Sequence, residues 1–510
     1  MKNYDVIVIG SGNGGLAAAC KILSSGKTCL VLEKHNIPGG FATSFRRGRF
    51  EFEASLHEFN GIGKKDNLGS AGKMFKELGV YDKIDFHQIH NAYRLISKKE
   101  KIDFTMPIGK EKCIAACKKV CRNGDKYAKQ LFDLAENVYY AMAYISKSHG
   151  KPDPKIMASK YYDYLASSSY SVNEVYEALK IPQVIQDIFN AYWSYLGAPM
   201  SDMNFTHYAN MVYSYFVHGA VVPNARSHEL SLAFVSRIYE LGGEIYFNSE
   251  VVKILTDKNN HVCGVKLKNG DIIKSRHVIA DCSPHTVYGR LLDKKVVPEK
   301  AYKICNFRKF AGRGFTIFLG LNKSPKELGL TDHSYFIYDS SDSDKSYKNM
   351  GKLYHHVGQA SVVLNNAVPN ASPIGTTILY ITTLFSDDCW KSVKENEYFL
   401  VKNKQAHILI KQFEEATHTN IHDHIEEMAV ATPLTYAHYC LQPQGTIYGY
   451  HSQYRDGLMP RIMMVNDDAL ISGLRIGGGY GERLLGYPSS YKSGYNEASR
   501  TLKDIEKEGR

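Results

Sequence analysis

Residues 5–33 constrain this chain more than any other stretch. They read DVIVIGSGNGGLAAACKILSSGKTCLVLE. Residues 5–9 are a short, mostly β-branched run suited to a buried parallel strand, and they lead straight into Gly10-Ser11-Gly12-Asn13-Gly14-Gly15. A helix over residues 16–24 and a second strand over residues 28–32 follow, and that strand ends in Glu33. Strand, glycine loop, helix, strand and acid in this order begin a doubly wound α/β fold built to hold a dinucleotide.

Each position has a mechanical reason. Gly10 permits the tight turn, Gly12 lets the backbone approach a pyrophosphate, and Gly15 lets the helix pack hard on the strand. The N–H groups and positive dipole end of the helix then face the phosphates. Glu33 stands where a carboxylate binds both ribose hydroxyls, and an acid there disfavours a 2′-phosphate. The expected ligand is therefore FAD or NAD, not NADP. A glycine-rich turn with no ligand, the competing reading, leaves the acid at the end of the second strand without a reason.

Beyond Glu33 and Lys34 come Pro38-Gly39-Gly40-Phe41-Ala42-Thr43-Ser44 and then Gly48-Arg49-Phe50-Glu51-Phe52-Glu53-Ala54-Ser55-Leu56-His57. These segments resemble the second fingerprint of the phytoene desaturase superfamily of FAD-dependent oxidoreductases, which includes bacterial carotenoid desaturases, the plant-type carotenoid isomerase and retinol saturase. The chain departs from that pattern at Glu53, where Asp is usual, and at Ser55, where Gly is usual. The resemblance implies FAD, held by Gly10, Gly12, Gly14, Gly15, Glu33, Lys34, Gly40, Phe41, Ala42, Thr43, Leu56 and His57. It also implies three later contributions. The backbone of Val252 would bind the adenine edge, and Asp281 would lie on a strand that re-enters the nucleotide domain. Gly478, Gly479 and Ser490 would form a glycine turn and the head of the last helix, where Pro488 is favoured and the positive helix end would face the flavin.

At 510 residues the chain has room for two or three domains, and its 44% hydrophobic and 23% charged residues exclude disordered and fibrous classes. No stretch approaches the ~20 apolar residues of a spanning helix. The first strand begins so near the N-terminus that no signal peptide fits before it. The expected location is the cytoplasm, or a membrane surface to which the net charge of +11 would draw the protein peripherally. The lysines are scattered without a basic-aromatic motif, so nucleic acid is not an expected partner. No metal is expected either. Cys113, Cys117 and Cys121 stack on one helical face but match no zinc or iron–sulfur spacing, and His422-Asp423-His424 has no further ligands close by in the sequence.

The remaining chain reads in segments. Residues 85–106 form a strand pair about the turn Ser97-Lys98-Lys99-Glu100, and residues 111–211 are mainly helical and rich in tyrosine. Residues 230–241 are an amphipathic helix, followed by strands to residue 267. Residues 314–321, 353–357 and 376–383 read as strands of an antiparallel sheet, residues 395–416 as a helix and residues 469–476 as a last strand. The expected fold class is α/β, with a two-dinucleotide-binding, Rossmann-like FAD domain (residues 1–70, 225–290 and 465–510). An antiparallel substrate sheet (71–110 and 291–464) and a helical insertion facing substrate or membrane (111–224) complete it.

Only one complete glycine loop is present, so electrons are expected to pass to or from a partner that docks transiently. The expected reaction saturates, desaturates or isomerises a carbon–carbon double bond by hydride transfer at flavin N5. Its substrate would be a long apolar or amphipathic molecule of retinoid, carotenoid or unsaturated fatty acid type. His57 and Tyr448 are the candidate proton donors. Two rivals share the fold. A flavin amine oxidase would carry Arg where Phe41 stands, and a non-enzymatic escort of prenylated proteins would have no use for the intact loop and Glu33.

Overall fold

The computed structural model describes residues 3–148, 151–354, 358–386, 389–451, 469–481 and 486–509. The nucleotide half is built on a five-stranded parallel sheet in the order Glu244–Tyr246, Cys29–Leu32, Val6–Ile9, His277–Ala280 and Leu474–Ile476. Its three central strands are buried throughout, because both faces are covered, and so their sequences run apolar without alternation. Val6 and Val8 face the helices Asn13–Leu23, Arg226–Glu240 and Tyr487–Glu508. Ile7 and Ile9 face the small antiparallel meander of Val251–Thr256, Val262–Leu267 and Ile272–Lys274.

The second sheet has seven strands in the order Ile102–Pro107, Asn91–Ser97, Ser334–Tyr338, Gln359–Val363, Thr377–Phe385, Arg313–Leu321 and Ile425–Ala431. It is mixed rather than wholly antiparallel. Asn91–Ser97 and Ser334–Tyr338 run parallel, with Tyr335 opposite Arg94. A parallel pair needs a crossover connection, and the intervening chain with its helical layer supplies one. Of the strand expected at residues 353–357, the described residues Leu353 and Tyr354 lie in a turn, Tyr354 at φ 61°, and the next strand is Gln359–Val363. Residues 355–357 lie outside the described residues. Toward the C-terminus, residues 469–473 are likewise irregular, and only Leu474–Ile476 pairs as a strand.

The helices between Lys110 and His218 pack on one face of this sheet around Tyr93, Phe132, Tyr192 and Phe216, while Tyr398–Thr417 covers another part around Phe315, Leu379 and Phe413. Cys113 and Cys117 are buried in the core of the helical layer, and Cys113 Sγ lies 3.0 Å from the carbonyl of Pro107. No helix among the described residues is long and apolar enough to cross a membrane.

Candidate active site

The parallel strands end together. Ile9 leads to Gly10, Leu32 to Glu33, Ala280 to Asp281 and Ile476 to Gly477, and these four residues line one cavity. Open α/β sheets bind their ligands in the crevice beyond the carboxyl ends of the strands, and here that crevice holds an oriented acid. Glu33 Oε2 accepts from Ser11 N at 2.8 Å and from Ser11 Oγ at 2.7 Å, and Oε1 accepts from His35 N at 2.8 Å. Gly10 holds φ +93°. A Cβ on Gly12 would lie 2.5 Å from Asp281 Oδ2, and one on Gly15 would lie 2.1 Å from the carbonyl oxygen of Gly10. Gly14 and Gly15 work from behind the wall, where Gly14 abuts Gly478 and Gly15 lets the helix close on the loop.

The cavity encloses about 1540 Å³. A pocket for one drug-sized ligand measures roughly 300–1,000 Å³, so a dinucleotide and a second long molecule have room together. Lys34 and Arg290 line it near Glu33, and burial lowers the pKa of Lys34. Gly40, Phe41, Leu56, His57, Tyr448, Gly479 and Ser490 form further wall, Ser490 from the first turn of Tyr487–Glu508. The helical layer adds Tyr139, Tyr140, Tyr195, Tyr215, Lys147 and Lys151. Ala42 and Thr43 stand behind this surface, where Ser231 Oγ donates to the Ala42 carbonyl at 2.6 Å. The contact expected of Val252 is through its backbone, and its side chain takes no part in the wall. Side chains alternate along a strand, which turns Val252 outward at 38% exposure, and Ser249, Glu250 and Val251 line the cavity instead.

A chain of hydrogen bonds crosses the sheet beneath the cavity. Tyr436 OH donates to Thr316 Oγ1 at 2.9 Å, Thr316 and Thr382 join their hydroxyls at 3.1 Å, and Thr382 Oγ1 lies 3.1 Å from His57 Nε2. The other ring nitrogen, Nδ1, lies 3.1 Å from Tyr195 OH. Burial, with a smaller contribution from His333, lowers the His57 pKa to about 3. At neutral pH the imidazole is therefore uncharged, one nitrogen donating and the other accepting. Burial raises the Tyr448 pKa as well. Next to His57, Glu58 is buried, with Oε1 2.9 Å from Tyr192 OH and Oε2 without a partner.

Known proteins share both this fold and this sequence pattern. The family described as flavin containing amine oxidoreductase matches residues 14–399. The chain belongs to that family. Among its curated relatives, all-trans-retinol 13,14-reductase of Danio rerio is 23% identical over 484 residues, covering 88% of this chain and 78% of the relative. Chloroplastic prolycopene isomerase of Daucus carota is 26% identical over 479 residues, covering 88% and 72%. An oxidoreductase structure from Methanosarcina mazei superposes with a TM-score of 0.63 at 12% identity, over 97% of this chain and 99% of its own. Putrescine oxidase bound to putrescine gives 0.63 at 12% identity, over 98% and 99%, a likeness of fold alone.

As a family member the protein is an FAD-dependent oxidoreductase, and the cleft fits that cofactor. Glu33 is already oriented, the glycines at 12, 14 and 15 let the loop close on Asp281, Gly478 and Gly10 where a Cβ would collide, and two helix N-termini, at Gly12 and Gly486, open toward the cavity. When bound, FAD supplies two-electron chemistry. Sequence reasoning missed Glu58, Thr316 and Thr382, and it placed Tyr195 only among the many tyrosines of the helical insertion. Glu58 did leave a signal, a charge between the buried Leu56 and Phe59. The others reach the site only through tertiary pairing.

Proposed function

We propose that this oxidoreductase reduces, desaturates or isomerises a carbon–carbon double bond of a long apolar or amphipathic molecule of retinoid, carotenoid or unsaturated fatty acid type. The supporting observation is the cavity. One continuous wall joins the nucleotide end to an aromatic lining that carries the hydroxyls of Tyr139, Tyr140, Tyr195, Tyr215, Tyr436 and Tyr448. Aromatic walls exclude water from an apolar chain, and the hydroxyls offer bonds to a polar end. A reductase of retinol and an isomerase of prolycopene are the precedents among the relatives.

In this reading residues 1–70, 225–290 and 465–510 hold the cofactor, while the seven-stranded sheet and residues 111–224 enclose the substrate. His57, uncharged, orients Tyr195 and Thr382 rather than serving as a cationic acid. Lys147 and Lys151 at the helical end favour a substrate with an acidic head. Exposed Tyr140, Ile156 and Leu165 on the same layer, among Lys147, Lys151, Lys155 and Lys160, suit rest on an anionic membrane surface. Electrons come from or go to a partner that docks transiently.

Anaerobic reduction of the bound flavin, followed by addition of retinol, a carotenoid or an unsaturated fatty acid, tests the reading. Reoxidation with a hydrogenated product identifies a saturase, and a rearranged lipid with the flavin still reduced identifies an isomerase. With the flavin oxidised, its reduction by the lipid identifies a desaturase. Turnover of amines with no change in any lipid would refute the proposal.

A further inference from the structure

Glu58 immediately precedes the short strand Phe59–Asn60, which the pairing of Phe59 with Val221 fixes in place. Glu58 is a residue of the cavity wall, and its carboxyl group is buried in that wall. Oε1 lies 2.9 Å from the hydroxyl of Tyr192, and Oε2 has no hydrogen-bond partner. A buried carboxyl oxygen left without a partner is costly, so one in a cavity wall calls for a functional reason.

The Tyr192 hydroxyl adds a second observation. It lies 2.8 Å from the carbonyl oxygen of Ala92 as well as 2.9 Å from Glu58 Oε1, and it has one hydrogen to give. The Ala92 carbonyl can only accept. With Glu58 neutral, Tyr192 can stay on Ala92; with Glu58 ionised, the same hydrogen can turn to Oε1 and stabilise the new charge. The side chain is thus built to exist in both protonation states.

We propose that Glu58, through Oε2, is the group that exchanges a proton with the substrate carbon, a role that rests on the double-bond reading above. In reduction, one alkene carbon takes a hydride equivalent from a two-electron reductant of the flavin class. The π pair takes the proton at the other carbon as the Oε2–H bond breaks, and Glu58 is left as a carboxylate. Desaturation runs the same proton back onto Oε2. The hydroxyl chain Tyr436, Thr316, Thr382, His57 and Tyr195 runs along the same wall and offers a path for reprotonation.

The groups facing Glu58 agree with this. They are Tyr192, Tyr195 and Tyr215 from the helical layer, while the neighbouring residue His57 bonds Tyr195 and Thr382 and is kept neutral by burial. Burial pushes the Glu58 pKa up to about 8, against the opposing pull of the nearby Tyr192 and Tyr195 hydroxyls. The acid therefore carries its proton at neutral pH, where His57 does not.

The test uses FAD-loaded wild type, Glu58→Gln and Tyr192→Phe with a retinoid, carotenoid and fatty-acid panel. Glu58→Gln keeps the side-chain size but has no acidic proton. Its flavin content should match wild type, its protonated-carboxyl infrared band should vanish at neutral pH, and reoxidation of its reduced flavin by lipid should slow at least ~100-fold. Wild-type reoxidation should fall as pH rises through about 8. Tyr192→Phe should slow reoxidation far less than Glu58→Gln and move that fall to higher pH, because the anion has lost a donor. Conversion by Glu58→Gln at the wild-type rate overturns the role of Glu58 and leaves the double-bond reading standing. A wild type that converts nothing in the panel overturns both.

Discussion

Ser227 reaches Glu53 twice: its backbone nitrogen donates to Oε2 and its hydroxyl to Oε1, each at 2.6 Å. Oε1 also accepts from Leu56 N at 3.0 Å and Ser55 N at 3.1 Å. One buried carboxyl thus ties the segment that carries His57 and Glu58 to the first turn of the helix Arg226–Glu240. Burial raises the pKa of Glu53 while the surrounding donors lower it.

Glu53→Ala should therefore cost more than a single contact. It strands donors on both elements, and unpaired buried groups cost about 1–3 kcal/mol each. We expect a loss of about 3 kcal/mol or more in denaturant unfolding, together with flavin released during purification. Glu53→Gln, which keeps the reach and part of the bonding, should fall between the two. An unchanged unfolding midpoint for the alanine variant would remove Glu53 as the tie.

Much of this architecture was legible because it is local. The strand, loop, helix and acid over residues 5–33 carry their geometry in sequence order, so Gly10, Gly12, Gly15 and Glu33 could be given places from spacing alone. Register and sheet order are not local. Arg94 and Tyr335 pair in parallel across the helical layer, and no pattern in either strand records the direction of the other. Val252 shows the sensitivity of strand positions, where a step of one residue exchanges cavity for solvent. The setting of His57 was the least legible part. Its partners Tyr195 and Thr382 lie 138 and 325 positions away in the chain, so neither its neutral state nor its role could be read from its own segment.

Gly494 offers a test of the packing behind the loop. A Cβ there would lie 1.9 Å from the carbonyl oxygen of Gly14, where Tyr487–Glu508 crosses Asn13–Leu23. Helix propensity alone favours Gly494→Ala by about 1 kcal/mol. The backbone contact opposes it, since overpacking costs about 1–3 kcal/mol and the obstructing atom belongs to a main chain that cannot swing aside. We expect Gly494→Ala to lower the thermal midpoint and weaken FAD retention, because both helices point their first turns at the cavity. A variant as stable as wild type would mean that the two helices can separate without cost.

Asp281 should make the cofactor-free protein pH-dependent. Its carboxyl lies at the start of the first helix, where Oδ2 accepts from Gly15 N at 2.9 Å, and burial, reinforced by the charge of Glu33, lifts its pKa from 3.8 to about 6. A carboxyl whose folded pKa lies above its unfolded value stabilises the fold fully below the unfolded value. That contribution is lost as pH rises through the folded value, and here it amounts to about 3 kcal/mol. Asp281→Asn keeps an oxygen for Gly15 N–H and removes the ionisation. Thermal unfolding of the two cofactor-free proteins should then coincide near pH 3.8 and separate up to about pH 6, with the variant the more stable by a few degrees above it. The variant should also retain FAD better under mildly alkaline conditions, since a negative charge beside the glycine loop works against a diphosphate. A stability difference that stays constant across this pH range would show that Asp281 ionises as freely in the folded chain as in the unfolded one.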